Sequence, residues 1–135
     1  MNISEIIPEL ALKSFLEYND VTGIYPAGIP ISGVPSEFFT VSMNGSIVSE
    51  SEDATVLGCT LMLGVYVKLL TTNGTVNQVR EKILMSKFSE LFPATYNYED
   101  VTYKFSLDFR NLVYSGRNLY SGYSTKALNL QVTIY

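Results

Sequence analysis

The chain has 135 residues, 47% of them hydrophobic and only 16% charged, with 9 Lys+Arg against 13 Asp+Glu and a net charge of -4. That length supports one domain, 1–135, with a real core, and an acidic balance with no basic cluster argues against phosphate-driven binding of nucleic acid. Histidine is absent and cysteine occurs once, which removes the usual neutral-pH base, the commonest metal ligand and any internal disulfide.

The N-terminus, Met-Asn-Ile-Ser-Glu, has no basic region and predicts no signal peptide. The longest uncharged apolar-rich stretch, Ala54 to Val67, is too short for a bilayer and alternates like a strand. A cytoplasm-like compartment is expected, with no membrane partner. Ser4 is placed to cap a first helix running to about Tyr18, with Glu5 and Glu9 near its positive end and Pro8 in its opening turns. Ile7, Leu10, Phe15 and Tyr18 form its predicted buried stripe.

Val21 to Ser36 is a long connection carrying Gly23, Pro26, Gly28, Pro30, Gly33 and Pro35. Ile24, Tyr25, Ile29, Ile31 and Val34 make it too apolar for a solvated linker, so it is expected to pack on its own domain or on a neighbour. Asn44-Gly45 predicts a tight hairpin with Val41 opposite Val48 and Thr40 opposite Ser49. Glu52-Asp53 then turns the chain into a long strand.

From Leu57 to Leu69 every second residue is apolar: Leu57, Cys59, Leu61, Leu63, Val65, Val67 and Leu69. Such a strand reaches roughly 40 Å at about 3.3 Å per residue, more than one small core needs, so part of it is expected to meet other chains. Thr71-Thr72-Asn73-Gly74 closes it. Thr75 with Gln78 predicts a capping box for a second helix, its stripe being Val76, Val79, Ile83, Phe88 and Leu91, stopped by Pro93. Ala94 to Asp100, with Tyr96 and Tyr98, is expected to be a loop.

Val101 to Arg110 alternates as a half-buried strand, and Leu128, Leu130, Val132 and Ile134 do the same near the C-terminus. Between them Arg110-Asn111-Leu112-Val113-Tyr114-Ser115-Gly116 is echoed by Arg117-Asn118-Leu119-Tyr120-Ser121-Gly122, suggesting two turns in an elaborated hairpin loop. The order is helix, three strands, helix, two strands. The expected class is α+β, a mainly antiparallel sheet with both helices on one face. Leu61, Leu63, Val65, Phe105, Leu107, Leu130 and Val132 are the expected core, with Val79, Ile83 and Phe88 packed on them.

No catalytic residue, metal site or cofactor site emerges, and no enzyme is expected. Cys59 has no basic neighbour in sequence and suits core packing. The Glu50-Ser51-Glu52-Asp53 cluster matches no calcium loop and suits a solvated turn, a hard-cation site being the alternative. Gly58 and Gly64 mark a bulge or a close backbone approach rather than a phosphate loop. Ten tyrosines and no tryptophan suit an amphipathic contact surface, or equally the faces of a sheet. Arg110 and Arg117, each opening a copy of the duplicated loop beside Asn and Tyr, have interface chemistry or are ordinary surface charges. The interface residues proposed from sequence are Tyr25, Ile29, Ile31, Arg110, Asn111, Arg117 and Tyr120.

With a Pro-rich approach to Phe38-Phe39-Thr40-Val41, a hairpin, a long amphipathic strand, a helix and two closing strands, the chain resembles the tail-terminator (tail-completion) proteins of long-tailed bacteriophages and related head–tail neck components. The likeness spans about Ser4 to Tyr135 and lies in element order and texture, without a diagnostic motif. It implies a virion structural protein assembled in the host cytoplasm, forming a hexameric ring that caps the tail tube. Implied partners are further copies, the tail tube protein and head–tail connector or neck proteins, with DNA passing through the lumen without sequence-specific contact. The alternatives are another neck or tail adaptor or tube component, or a small soluble domain that binds a ligand or a protein.

Overall fold

The computed structural model describes residues 5–26, 33, 35–53, 55–71, 74–108 and 120–135, and the backbone of 113–116. Its elements are α1 (Pro8–Tyr18), β1 (Ile24–Tyr25), β2 (Glu37–Ser49), β3 (Leu57–Lys68), α2 (Gln78–Leu91), β4 (Ala94–Tyr98), β5 (Val101–Leu107), β6 (Val113–Gly116) and β7 (Tyr123–Ile134). The class is α+β. One seven-stranded sheet has the order β1-β2-β3-β7-β5-β4, with β6 also on β7, and only the β1–β2 pair is parallel.

The long strand is the middle of this sheet. β3 pairs with β2 along one edge and with β7 along the other for its whole length, so neither edge is left for another chain. Its apolar set, Leu57 through Val67, is buried, and β7 answers it with Leu128, Leu130, Val132 and Ile134. Ala11, Leu12, Phe15 and Leu16 of α1 and Leu84 and Phe88 of α2 belong to the same cluster, which places both helices on one face. Leu61, Leu63, Val65, Phe105, Leu130 and Val132 lie in that core, and Leu107 packs at its margin. Cys59 is buried there, and desolvation, with the nearby Glu9 charge a smaller cause, pushes its thiol up to about 12.

Several elements differ from expectation. The Asn44-Gly45 turn does not form. β2 runs straight through it, with Thr40 opposite Gly64 and Val41 opposite Leu63 rather than Ser49 and Val48. Gly45 instead uses its positive φ of 90° in a bulge, where Gly45, Ser46 and Ile47 oppose Cys59 alone. One unbroken strand keeps Phe39 and Val41 in register with the apolar face of β3, which a hairpin folded at Asn44 would forfeit. The turn into β3 does form, closed by a Glu50 N–H donating to the Val56 carbonyl.

Ser4 lies outside the described residues, and α1 begins with Pro8 at its first position, after Ile7. Its buried face is Pro8, Ala11, Leu12, Phe15 and Leu16, a better match to helical spacing than the predicted stripe. Ile7 and Tyr18 are exposed. α2 is capped by Asn77, whose side-chain oxygen accepts from the Arg80 N–H at 3.2 Å, while the Thr75 hydroxyl is taken by Thr71. It buries Glu81, Leu84 and Phe88 and turns Val79 and Ile83 outward. Two polar anchors set that rotation. Arg80 clasps Glu37 with two 2.6 Å hydrogen bonds, and Ser124 Oγ donates to Glu81 at 2.8 Å.

Ala94 to Tyr98 is a strand rather than a loop. Glu99 and Asp100, at φ 49° and 66°, make the two-residue turn that pairs β4 with β5. Tyr96 and Tyr98 then face α1, where the Tyr96 hydroxyl lies 2.7 Å from Ser14 Oγ. Residues 110–112 and 117–119 of the duplicated loop lie outside the described residues, as does Phe109 of the predicted strand. The first Tyr-Ser-Gly, 114–116, is strand β6 and not a turn, whereas Tyr120 to Tyr123 does turn, with a 3.2 Å backbone bond.

Candidate interaction surface

The side chains of β3 that alternate with its core set point to the face without helices. At the end of the sheet where β2 and β7 begin, Tyr66 meets Phe38 on β2, and beyond them come Tyr25 of β1, Tyr123 of β7 and Tyr120 of the preceding turn. Phe38 is the hub. It stacks on Tyr66 with centroids 4.5 Å apart, and receives Tyr25, Tyr120 and Tyr123 edge-on at 5.9, 5.7 and 5.4 Å. Phe38 and Tyr66 are buried, whereas Tyr25, Tyr120 and Tyr123 are half-exposed around them.

The local sequence explains the cluster. Adjacent Phe38 and Phe39 must face opposite sides of a strand, so one enters the core and the other the outer face. Gly64, two residues before Tyr66, leaves room for that ring and for Thr40, because a side chain at Gly64 would collide with the Thr40 hydroxyl. Burial raises the Tyr66 phenol above its usual range, partly offset by its hydrogen bond with Thr40. The Tyr123 hydroxyl donates to the Pro35 carbonyl at 2.6 Å and ties β7 to the chain entering β2. Thr125, paired with Tyr66 across the strands, is buried, and its hydroxyl finds no hydrogen-bond partner among the described residues.

Of the interface residues proposed from sequence, Tyr25 and Tyr120 meet on this one patch, each against Phe38. Ile29, Ile31, Arg110, Asn111 and Arg117 lie outside the described residues. Sequence reasoning missed Phe38, Tyr66 and Tyr123, although alternation along β2, β3 and β7 carried the signal for all three. It also hid Val79 and Ile83, which are exposed.

Cys59 offers no nucleophile, since its raised thiol stays protonated and buried. The Glu50–Asp53 turn spends its acid on itself. Asp53 accepts from the Thr55 and Ser51 hydroxyls at 2.8 and 3.0 Å, bonds that hold its carboxyl below the usual range. Among the described residues no group of three acidic or thiol side chains is arranged to hold a metal, and no helix is long and apolar enough to cross a membrane. What the outer patch can do is bury amphipathic rings against another surface while their hydroxyls remain hydrogen-bonded. No protein-family model matches the chain, and no curated protein matches it in sequence.

Proposed function

We propose that this chain is a structural subunit of a phage tail, a tail terminator whose copies form a ring that caps the tail tube and joins it to the head or neck. The observation that carries the reading is the meeting of Tyr25 and Tyr120 on Phe38. Two segments far apart in sequence, both suited to contact by composition, converge on one half-exposed aromatic patch. Tyrosine is among the residues in which binding energy concentrates. A helix-covered face that holds the core and a second face with an aromatic end also suit a subunit that packs against neighbours. The role is non-enzymatic and needs no cofactor.

Light scattering coupled to size exclusion, followed by electron microscopy of the eluted species, tests the reading. The expected outcome is a closed ring with a central channel that binds the ends of isolated tail tubes. A chain that stays monomeric with and without tubes overturns it. Within an assembling protein, Arg117→Ala with Tyr120→Ala is expected to lower ring formation or tube capping.

A further inference from the structure

The exposed apolar side chains sort by position along the strands. At the end where β2 and β7 finish and β3 begins are Val48, 52% exposed opposite Gly58, and Tyr135, 49% exposed and hydrogen-bonded to Thr102. Ile7 lies there too, its N–H donating to the Tyr103 hydroxyl. At the opposite end are Leu70, Val76, Val79 and Ile83, at 62%, 37%, 72% and 51%. Tyr18 is the remaining large exposed hydrophobic among the described residues.

Charge sorts the same way. Around Val48, Tyr135 and Ile7 lie Glu9, Glu50, Glu52, Asp53, Glu99 and Asp100, with Lys104 on the outer face of β5 opposite Thr133 and Lys13 one turn beyond Glu9, paired with Glu17. At the other end Lys82, Lys87 and Lys126 gather around α2, while Lys68 ends β3 on the outer face. The anions facing them are Asp20, Glu37, which is neutralised by Arg80, and Glu81, which is buried and bonded to Ser124. Glu90 follows further along the helix.

On α2, at 100° per residue, Val79 and Ile83 form a strip with Lys87 and Arg80 on one side and Lys82 on the other. Beside Ile83 a groove of about 240 Å³ is floored by Phe39, Leu84 and Phe88. One end is therefore lined by carboxylates, whereas the Val79–Ile83 strip is flanked directly by Lys82 and Lys87, with Asp20 and Glu90 at the margins of that basic flank.

We propose that the Val79–Ile83 strip of one copy docks the acidic end of a second copy. The inference rests on the assembly reading above and deepens it by assigning the contact between copies, which leaves the aromatic patch for tube and neck partners. Because the two contacting patches differ, association runs head to tail and yields a ring or a filament, not a two-fold dimer. The apolar centres supply the buried area, and the charged rims set direction and repel the wrong pairing of like ends.

The test uses the full chain and two charge-reversed variants, Lys82→Glu with Lys87→Glu, and Glu52→Lys with Asp53→Lys, in sedimentation velocity at about 0.05 M salt. Each variant alone is expected to associate about tenfold or more weakly than the unaltered protein. An equimolar mixture is expected to regain association, since each variant then offers the end the other needs. Unchanged melting temperatures show that the subunits remain folded, and Val79→Ser with Ile83→Ser is expected to weaken association whatever the charges. Variants that associate normally, or a mixture that gains nothing, overturn this contact while leaving assembly itself standing. An unaltered chain that remains monomeric even with tail tubes removes both readings.

Discussion

The Phe38 and Tyr66 rings lie face to face, 8° from parallel, on the side of the sheet that has no helix. This pair makes the outer face a second, smaller core. Phe38→Ala is expected to cost about 3–5 kcal/mol, as for a buried ring in a primary core. Urea denaturation measures it. A loss below about 1 kcal/mol would mean that the outer rings contribute no more than ordinary surface residues.

Leu63 sits fully buried, opposite Val41 on one side and Leu128 on the other. Leu63→Asp is expected to abolish folding, because a carboxylate there has neither water nor a cation. A soluble variant with a cooperative melt would refute the assignment of the inward face.

Glu37 is held below the usual carboxylate range, chiefly by its hydrogen bonds from Arg80, with the Arg80 and Lys87 charges adding and burial opposing. A lowered folded pKa means that this stabilisation is present above the unfolded value of about 4.3 and is lost as pH falls through the folded one. Solvent screens the pair, since 42% of the Arg80 side chain is exposed. Glu37→Gln is therefore expected to cost about 1 kcal/mol at pH 7, with the difference from the parent vanishing in acid. Melting temperatures across pH 3 to pH 7 (roughly the window of this titration) check it.

Cys59 runs the other way. Its thiol is raised by burial first and by Glu9 second. Its contribution to stability is thus intact below the unfolded thiol value of about 8.5 and declines as pH rises toward the folded one. Native protein at pH 8 (about half a unit below that unfolded value) is expected to resist iodoacetamide, and unfolded protein to react at once. Rapid labelling of the native chain would place Cys59 outside the core.

Tyr120 contacts both Phe38 and Tyr123, so Tyr120→Ala is expected to lower subunit stability by about 1 kcal/mol in addition to any effect on assembly. Arg117→Ala alone is the companion variant. The two melting temperatures separate the contributions.

The sheet was legible wherever one face was strictly apolar. β3, β5 and the C-terminal half of β7 were predicted from alternation alone, and the core residues on those strands followed from it. Helix faces were less legible. Val79 and Ile83 have the spacing of a buried stripe, but the Arg80–Glu37 and Ser124–Glu81 bonds rotate α2 the other way, and those partners lie 43 residues away in sequence. Local signals misled where two structures can use the same residue. Gly45 supplies a positive φ to a bulge as readily as to a turn, and only pairing with β3 decides between them. Of the interaction surface, sequence supplied Tyr25 and Tyr120 separately. Their meeting depends on β1 joining β2 in parallel, a pairing of Ile24 and Tyr25 too short to leave a pattern.

The bulge at Gly45 to Ile47 also limits how the molecule can grow. Beyond Thr40, where β1 ends its pairing, the outer side of β2 has no further strand partner among the described residues and is a row of main-chain donors and acceptors. A straight row of that kind is a template for recruiting further strands without limit. Here the row is interrupted after Asn44, because the surplus residues bend the strand and break the spacing that an incoming chain would need. Extension of the sheet along this edge is thereby cut short. Along this edge, contact therefore falls to side chains, which can choose a partner, rather than to backbone, which accepts any.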